Sequence, residues 1–288
     1  MKKILVFGSG GMLGHMVYKY FISLNKYEIF HTGFSSAVFD NTHIIDIRRS
    51  DKVKKFLNEI KPDIVINCIG LLIKDSSDNI EDAILVNSYF PNLLSRLGSE
   101  LNFKLIHIST DCVFSGNRGN YNENSFRDGN TIYARTKILG EVINDKDLNI
   151  RTSVIGPELK PNGTGLLHWF LNQQKEVNGF ENVFWTGVTT LELAKAINAF
   201  IDQDIRGLYN FSSGAKISKF DLLNLIKEVW NKNKIFINRD SDHKSDMTLC
   251  NNRVDFDFKI NNYRNMLKEL YLWMNNNRDL YTQYMGNN

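Results

Sequence analysis

The chain of 288 residues is poor in cysteine, in paired histidines and in long apolar runs, and each shortage removes a class of function. Its three cysteines, Cys68, Cys112 and Cys250, are far apart and odd in number, so no disulfide framework or metal-ligand spacing follows from them. The six histidines form no His-x-x-x-His or His-x-His pair, and no metal site is expected. No window approaches the roughly 18 apolar residues of a membrane span. Met1-Lys2-Lys3 opens as a signal peptide can, but glycines and polar residues interrupt the apolar run after Phe7, without a cleavage-site pattern. A cytoplasmic chain with no membrane partner is therefore expected. The net charge of +3 is too small to argue for a nucleic-acid partner. With 42 % apolar and 23 % charged residues, the composition is that of a globular protein, long enough for one large domain or two that share a core.

What is present begins at residues 2–7, an apolar run of strand length. Gly8-Ser9-Gly10-Gly11-Met12-Leu13-Gly14 follows, then an amphipathic stretch over 15–24. Strand, glycine turn and helix open a dinucleotide-binding unit, because glycines admit a pyrophosphate and the helix start offers it unpaired N–H groups. Leu13 stands where a G-x-G-x-x-G beginning at Gly8 needs its last glycine; Gly8, Gly11 and Gly14 fit G-x-x-G-x-x-G instead. The strand expected at 27–32 ends in His31-Thr32-Gly33-Phe34 with no acid to accept from a ribose 2′-hydroxyl. That leans toward NADP(H), with NAD(H) as the alternative, although no arginine replaces the acid.

Further on, strands are expected at 43–47, 64–70 and 104–109. Helices are expected at 51–60 and 80–98, the second kinked or split by Pro91. This alternation predicts an α/β fold with a doubly wound parallel (Rossmann) sheet. Thr110, Asp111 and Cys112 would then face the crevice at the carboxyl end of a central strand. After a polar loop over 116–131, a helix to about 144 carries Tyr133 and Lys137 one turn apart on one face. An ammonium that close favours the phenolate and would lower a phenol pKa of about 10. A strand at 149–156 follows. The segment 157–165, with two prolines, marks a change of organisation. Helices at 166–174, 188–201 and 219–230 and a strand at 207–211 come next, then an aromatic-rich end, helical late and frayed at Gly286-Asn287-Asn288. The expected division is a dinucleotide-binding domain over 1–153, with a return at about 186–211, and a smaller C-terminal substrate-binding domain over 154–288.

Several motifs together resemble the extended short-chain dehydrogenase/reductases, and within them the dTDP-4-dehydrorhamnose reductase family. They are Gly8-x-x-Gly11-x-x-Gly14, Asn67, Ser109-Thr110-Asp111-Cys112-Val113-Phe114-Ser115-Gly116, Tyr133-x-x-x-Lys137 and Arg151-Thr152-Ser153. Gly187-Val188-Thr189-Thr190-Leu191-Glu192-Leu193-Ala194 and Gly207-Leu208-Tyr209-Asn210-Phe211-Ser212 extend the likeness to about residue 230. The resemblance implies NAD(P)H-dependent reduction of the 4-keto group of a nucleotide-linked 4-keto-6-deoxy sugar, for surface polysaccharide synthesis. It makes Tyr133 the general acid, Lys137 the holder of the nicotinamide ribose that also lowers the Tyr133 pKa, and Thr110 the second hydrogen bond to the carbonyl oxygen. It also implies that Gly8, Gly11, Met12, Leu13 and Gly14 line the pyrophosphate and Asp46 and Ile47 the adenine. Cys68, Ile69 and Gly70 would line the ribose–nicotinamide end. Asp111, Phe114, Trp169 and Trp185 are substrate-side candidates, and a homodimer is left open. The chain departs from the family at Cys112, where an aromatic residue is usual. Related dehydratases carry Asp-Glu after the threonine, so Cys112 leaves dehydration without its base. A non-catalytic regulatory subunit of methionine adenosyltransferase shares the resemblance and remains an alternative, as does an epimerase-reductase.

Overall fold

The computed structural model describes residues 1–284; the fraying expected at Gly286-Asn287-Asn288 lies outside them. β1 (Lys3–Phe7), α1 (Met12–Ser23), β2 (Glu28–Gly33), β3 (His43–Ile44), α2 (Ser50–Ile60) and β4 (Ile64–Asn67) form the first half of a doubly wound unit. β1 shows why: Ile4 and Val6 face one apolar cluster and Leu5 and Phe7 another, the period-two pattern of a strand buried on both sides. The third strand is shorter than the expected 43–47, for Asp46 and Ile47 leave it after one further bond, Ile45 N to Gly33 O at 3.0 Å.

Between 73 and 101 the chain runs through α3 (Ile73–Asp78), α4 (Ile80–Ala83), one π-helical turn (Ile84–Tyr89) and α5 (Phe90–Leu101). Pro91 was expected to kink or split a helix here. The helical run from Ile80 to Leu101 is split as expected, by the π turn that ends at Tyr89, and Pro91 sits just after it in the first turn of α5.

β5 (Lys104–Ile108), α6 (Ile132–Gly140) and β6 (Leu148–Arg151) complete the nucleotide half. α6 stops at Gly140 rather than near 144, because Glu141 turns to extended backbone and points its carboxylate at Arg151. Later come β7 (Val154–Ile155), α7 (Leu166–Leu171), β8 (Glu176–Trp185), β9 (Val188–Thr189), α8 (Thr190–Asp202) and β10 (Gly207–Asn210). β11 (Ile217–Ser218), α9 (Lys219–Val229), β12 (Phe236–Asp246) and α10 (Tyr263–Asn276) follow. The strand expected at 149–156 thus breaks at Thr152-Ser153, its second part pairing with β9. β8 and β12 were not anticipated.

The main sheet is seven-stranded and parallel, in the order β3-β2-β1-β4-β5-β6-β10, a Rossmann arrangement extended by β10. Register sets Phe7 beside both Thr32 and Asn67, and Asn67 beside His107, so the carboxyl ends of the central strands finish on one level. A second sheet, β11-β8-β12, stands apart from it in pairing. One apolar cluster nevertheless runs from Ile4 and Val6 through Phe200 and Leu222 to Leu270, across residue 153. Among the described residues no helix is long and apolar enough to cross a membrane.

Candidate active site

The crevice at the carboxyl ends of β1, β4 and β5 is built from turns that the sequence cannot make otherwise. Gly8 has φ +85°, and a Cβ there would meet Ile69 Cγ1 at 2.8 Å. A Cβ on Gly14 would lie 2.0 Å from the Gly8 carbonyl oxygen, so α1 can approach the turn only with glycine at that position. Gly11 precedes α1 without a side-chain cap, leaving first-turn amides free to receive an anion. Met12 and Leu13 would contribute those amides, while the Leu13 side chain itself is buried in the core. This cradle fits a dinucleotide pyrophosphate.

The exit from β4 is pinned from the π turn. Asn87 accepts from Leu71 N at 2.9 Å and donates to Leu71 O at 3.0 Å and to Thr136 Oγ1 at 3.2 Å. One buried side chain thereby fixes both the stretch after Gly70 and the helix that carries Tyr133 and Lys137. A π turn re-aims side chains that a regular helix would direct elsewhere. No spacing in the sequence singled Asn87 out.

Lys137 is buried, and its ammonium donates to Ile108 O at 2.8 Å and lies 3.4 Å from His107 Nε2. Burial lowers its pKa to about 8, against the favourable charge of Glu141 and, less, the Cys68 thiol. His107 is itself held by Asn67 Nδ2 at 3.1 Å, and burial and the Lys137 charge keep it neutral. The Cys68 thiol is pushed up to about 12 by burial and stays protonated.

Tyr133 lies beside Thr110. Burial pushes its phenol above the ordinary value, the neighbouring Cys112 adds to the rise, and the Thr110 hydroxyl works against it. The expected lowering by Lys137 is therefore not the net effect, because the ammonium is drawn to the end of β5 and desolvation dominates. The phenol holds its proton firmly and has one to give. Thr110 donates to Asp111 Oδ1 at 3.1 Å and accepts from Cys112 N at 3.1 Å. Asp111 is buried, and its pKa is raised by desolvation. Cys112 is likewise pushed up to about 12, by burial and then by Asp111.

Behind this group Glu141 accepts from Arg151 Nε at 2.6 Å and Nη2 at 2.8 Å, from Ser109 Oγ at 2.9 Å and from Arg127 Nη1 at 2.9 Å. The pair locks the start of the Thr110 turn to α6 and β6.

Other candidates fall differently. Phe114 is buried, stacked on Tyr121 at 4.2 Å with the Arg151 guanidinium 5.3 Å from its ring, so packing holds it in place. Trp185 is buried too, stacked on Tyr263 and covered by Lys219, whose ammonium is 4.7 Å from its ring centroid. Trp169 stands on α7 with 39 % exposure. Ile47 packs in the core, so only its backbone could reach an adenine. Asp46 grips Arg48 with two 2.9 Å hydrogen bonds, and Arg48 stacks over Phe34 at 5.1 Å. The folded chain thus brings to the end of β2 an arginine that the local sequence there lacks. Among the described residues no group of three His, Cys, Asp or Glu is placed to hold a metal ion.

The family model for the RmlD substrate binding domain matches residues 1–272, nearly the whole chain. The chain belongs to that family. A relative within reach of the RmlD family, the dTDP-4-dehydrorhamnose reductase of Aggregatibacter actinomycetemcomitans, is 28 % identical over 159 residues, 53 % of this chain and 51 % of that protein. The match spans about half the length of that relative. Methionine adenosyltransferase 2 subunit beta of Bos taurus is 24 % identical over 246 residues, 80 % of this chain and 72 % of its own. Among solved structures, dTDP-4-dehydrorhamnose reductase from Bacillus anthracis in complex with NADP superposes with a TM-score of 0.81 at 21 % identity, over 95 % of this chain and 100 % of that one. This likeness shows the fold, an extended Rossmann unit shared with sugar-nucleotide reductases.

Proposed function

We propose that this chain reduces the 4-keto group of a nucleotide-linked 4-keto-6-deoxy sugar, in the synthesis of a surface polysaccharide. The observation that carries the reading is the placement of the Thr110 and Tyr133 hydroxyls side by side at the end of β5, next to the Gly8–Gly14 cradle and a strand-anchored Lys137. A nicotinamide cofactor, when bound, supplies hydride to the carbonyl carbon. Tyr133, fully protonated near neutral pH, gives its proton to the carbonyl oxygen as negative charge develops there. The Thr110 hydroxyl, turning its single proton from Asp111 Oδ1 to the substrate, donates a second hydrogen bond to the same oxygen and orients it. Lys137 holds the nicotinamide ribose and, as an ammonium, favours the phenolate left on Tyr133.

NADP(H) is the preferred cofactor of this reading. The residues that directly follow β2, Phe34-Ser35-Ser36, include no carboxylate, Arg48 lies over Phe34 there although Asp46 already pairs with it, and the Bacillus anthracis structure holds NADP. Residues 1–153 would carry the cofactor and residues 154–288 mainly the sugar nucleotide. Asp111 is engaged by Thr110 and followed by a protonated thiol, so dehydration lacks a free carboxylate base.

NADPH and NADH oxidation against a panel of nucleotide-linked 4-keto sugars tests the proposal, with Tyr133→Phe as the blank. Turnover should fall by about 10²–10⁴ in the variant, the loss typical of a missing general acid. Undiminished turnover overturns the assignment. The match to a methionine adenosyltransferase subunit supports a second reading, a cofactor-binding regulatory subunit. The intact Thr110, Tyr133 and Lys137 set favours the enzyme. NADP binding without turnover, together with a stable protein partner, would favour the subunit.

A further inference from the structure

Lys219 opens α9, and its half-buried side chain reaches over the Trp185 indole toward the Thr110–Val113 turn. The helix does not need it there. Ser218 already caps α9, accepting from Asp221 N at 3.0 Å, and a cation in the first turn opposes the helix dipole. Burial lowers the Lys219 pKa to about 8, while the Asp111 carboxylate and then the Cys112 thiol favour its charged form. Among the described residues this ammonium has the Trp185 face but no hydrogen bond and no ion pair. Asp111 faces it from the other side: its carboxylate takes hydrogen bonds from Thr110, Ser153 and Cys112, and the opposing charge it feels is Lys219, with no hydrogen bond or ion pair between the two. Two desolvated opposite charges are thus held apart across the crevice, beside the atoms that would meet the reacting carbonyl.

We propose that Asp111 and Lys219 together grip the sugar hydroxyl on the ring carbon adjacent to the carbonyl being reduced, making Lys219 a specificity-determining residue. The inference rests on the reductase reading and narrows its substrate class. A hydroxyl is the simplest group that donates to a carboxylate and accepts from an ammonium at once. It fits where a phosphate does not, since a phosphate here would be repelled by the Asp111 carboxylate. Position points the same way, because Asp111 Oδ1 lies 3.1 Å from the Thr110 hydroxyl, close enough for one sugar to meet both through oxygens on neighbouring ring carbons. A sugar lacking that hydroxyl leaves the Lys219 ammonium without a hydrogen-bond acceptor, and a site of that kind disfavours it.

The test uses the full chain with NADPH and a nucleotide-linked 4-keto-6-deoxy sugar, compared with its 3-deoxy counterpart. The wild type should favour the 3-hydroxy sugar by about 10–100-fold in kcat/KM, the range of a hydrogen bond to charged groups. Lys219→Met should bring the ratio close to one, mainly through KM for the 3-hydroxy sugar. Inhibition by the free nucleoside diphosphate and the affinity for NADPH should not move. A ratio preserved in Lys219→Met overturns the inference. So does a parallel weakening of nucleoside diphosphate inhibition, which would place Lys219 on the phosphates. Quenching of tryptophan fluorescence by the two sugars, with NADP⁺ bound, reads the same preference without turnover. A wild type that turns over neither sugar therefore overturns the reductase reading. The hydroxyl preference in binding, lost or kept in Lys219→Met, decides the inference by itself.

Discussion

The two walls of the crevice are built on opposite plans. On the wall made by β5, α6 and β6, the charges of Lys137 and Glu141 are already held by protein: Lys137 by Ile108 O, and Glu141 by Arg151, Arg127 and Ser109. On the wall made by β8 and α9, Lys219 lies over an indole with no hydrogen bond among the described residues. The difference separates two tasks. Groups that act on the reacting atoms are fixed before the ligand arrives, which spares reorganisation at the moment of reaction. On the proposed reading, Lys219, which would recognise the sugar, keeps a valence for it. The second wall is also the more polar, with β12 largely exposed and β8 half so.

That contrast can be broken most severely at Arg151. Arg151→Met leaves Glu141 buried with only the peripheral Arg127 and a hydroxyl as partners. It should cost about 3–5 kcal/mol, the usual cost of breaking a buried pair, read as a lowered urea midpoint at unchanged slope. A midpoint near wild type would show that the first wall is less tightly pinned than its geometry says.

A smaller effect is expected at Tyr281, whose hydroxyl lies 3.0 Å from Nε2 of the buried His15, while His15 Nδ1 meets Gly11 O at 2.9 Å. Burial lowers the His15 pKa to about 4, so the ring is neutral and can donate from one nitrogen while accepting at the other. Tyr281→Phe should cost about 1–3 kcal/mol for the group left unpaired and weaken NADP(H) binding through the glycine turn. Cofactor affinity unchanged at reduced stability would limit this link to packing.

A probe of both walls at once is pH. Lys137 and Lys219 sit at about 8 in the folded chain against an ordinary 10.5. Between those values the unfolded chain binds more protons at these two lysines, which raises stability with pH from about 8. Above about 9 the buried Cys68 and Cys112 thiols, held at about 12, act the opposite way, so the lysine share is read as the difference between wild type and variant. Each lysine can contribute at most about 1.4 kcal/mol per pH unit. Below 8 both states are protonated and the slope vanishes. Lys137→Met should remove its share, and denaturation midpoints across that range would show it; an unchanged slope would mean that the buried ammonium is not desolvated.

Much of the nucleotide half is legible in the chain because its elements are specified locally. Ile4-Leu5-Val6-Phe7 alternates between two cores, Gly8 and Gly14 meet backbone that tolerates no side chain, and Tyr133 and Lys137 are one helical turn apart. The second sheet is not legible in the same way. β12 reads Phe-Ile-Asn-Arg-Asp-Ser-Asp-His-Lys-Ser-Asp, and with both faces mostly in water it carries no apolar alternation. Its identity as a strand comes from pairing with β8, some sixty residues earlier. β8 had a partial signal in Val177, Phe180, Val183 and Trp185 among polar neighbours.

By itself the sequence determined the parallel sheet, the glycine cradle and the helix bearing Tyr133 and Lys137. Tertiary structure alone decided that Pro91 follows a π turn, that Phe114 stacks on Tyr121, that Arg48 reaches Phe34, and that Lys219 faces Asp111. The reason is range. Periodicity and turn chemistry act over a few residues, whereas desolvation and opposed charge are properties of a site, and Asp111 meets Lys219 only once the chain has closed around them both.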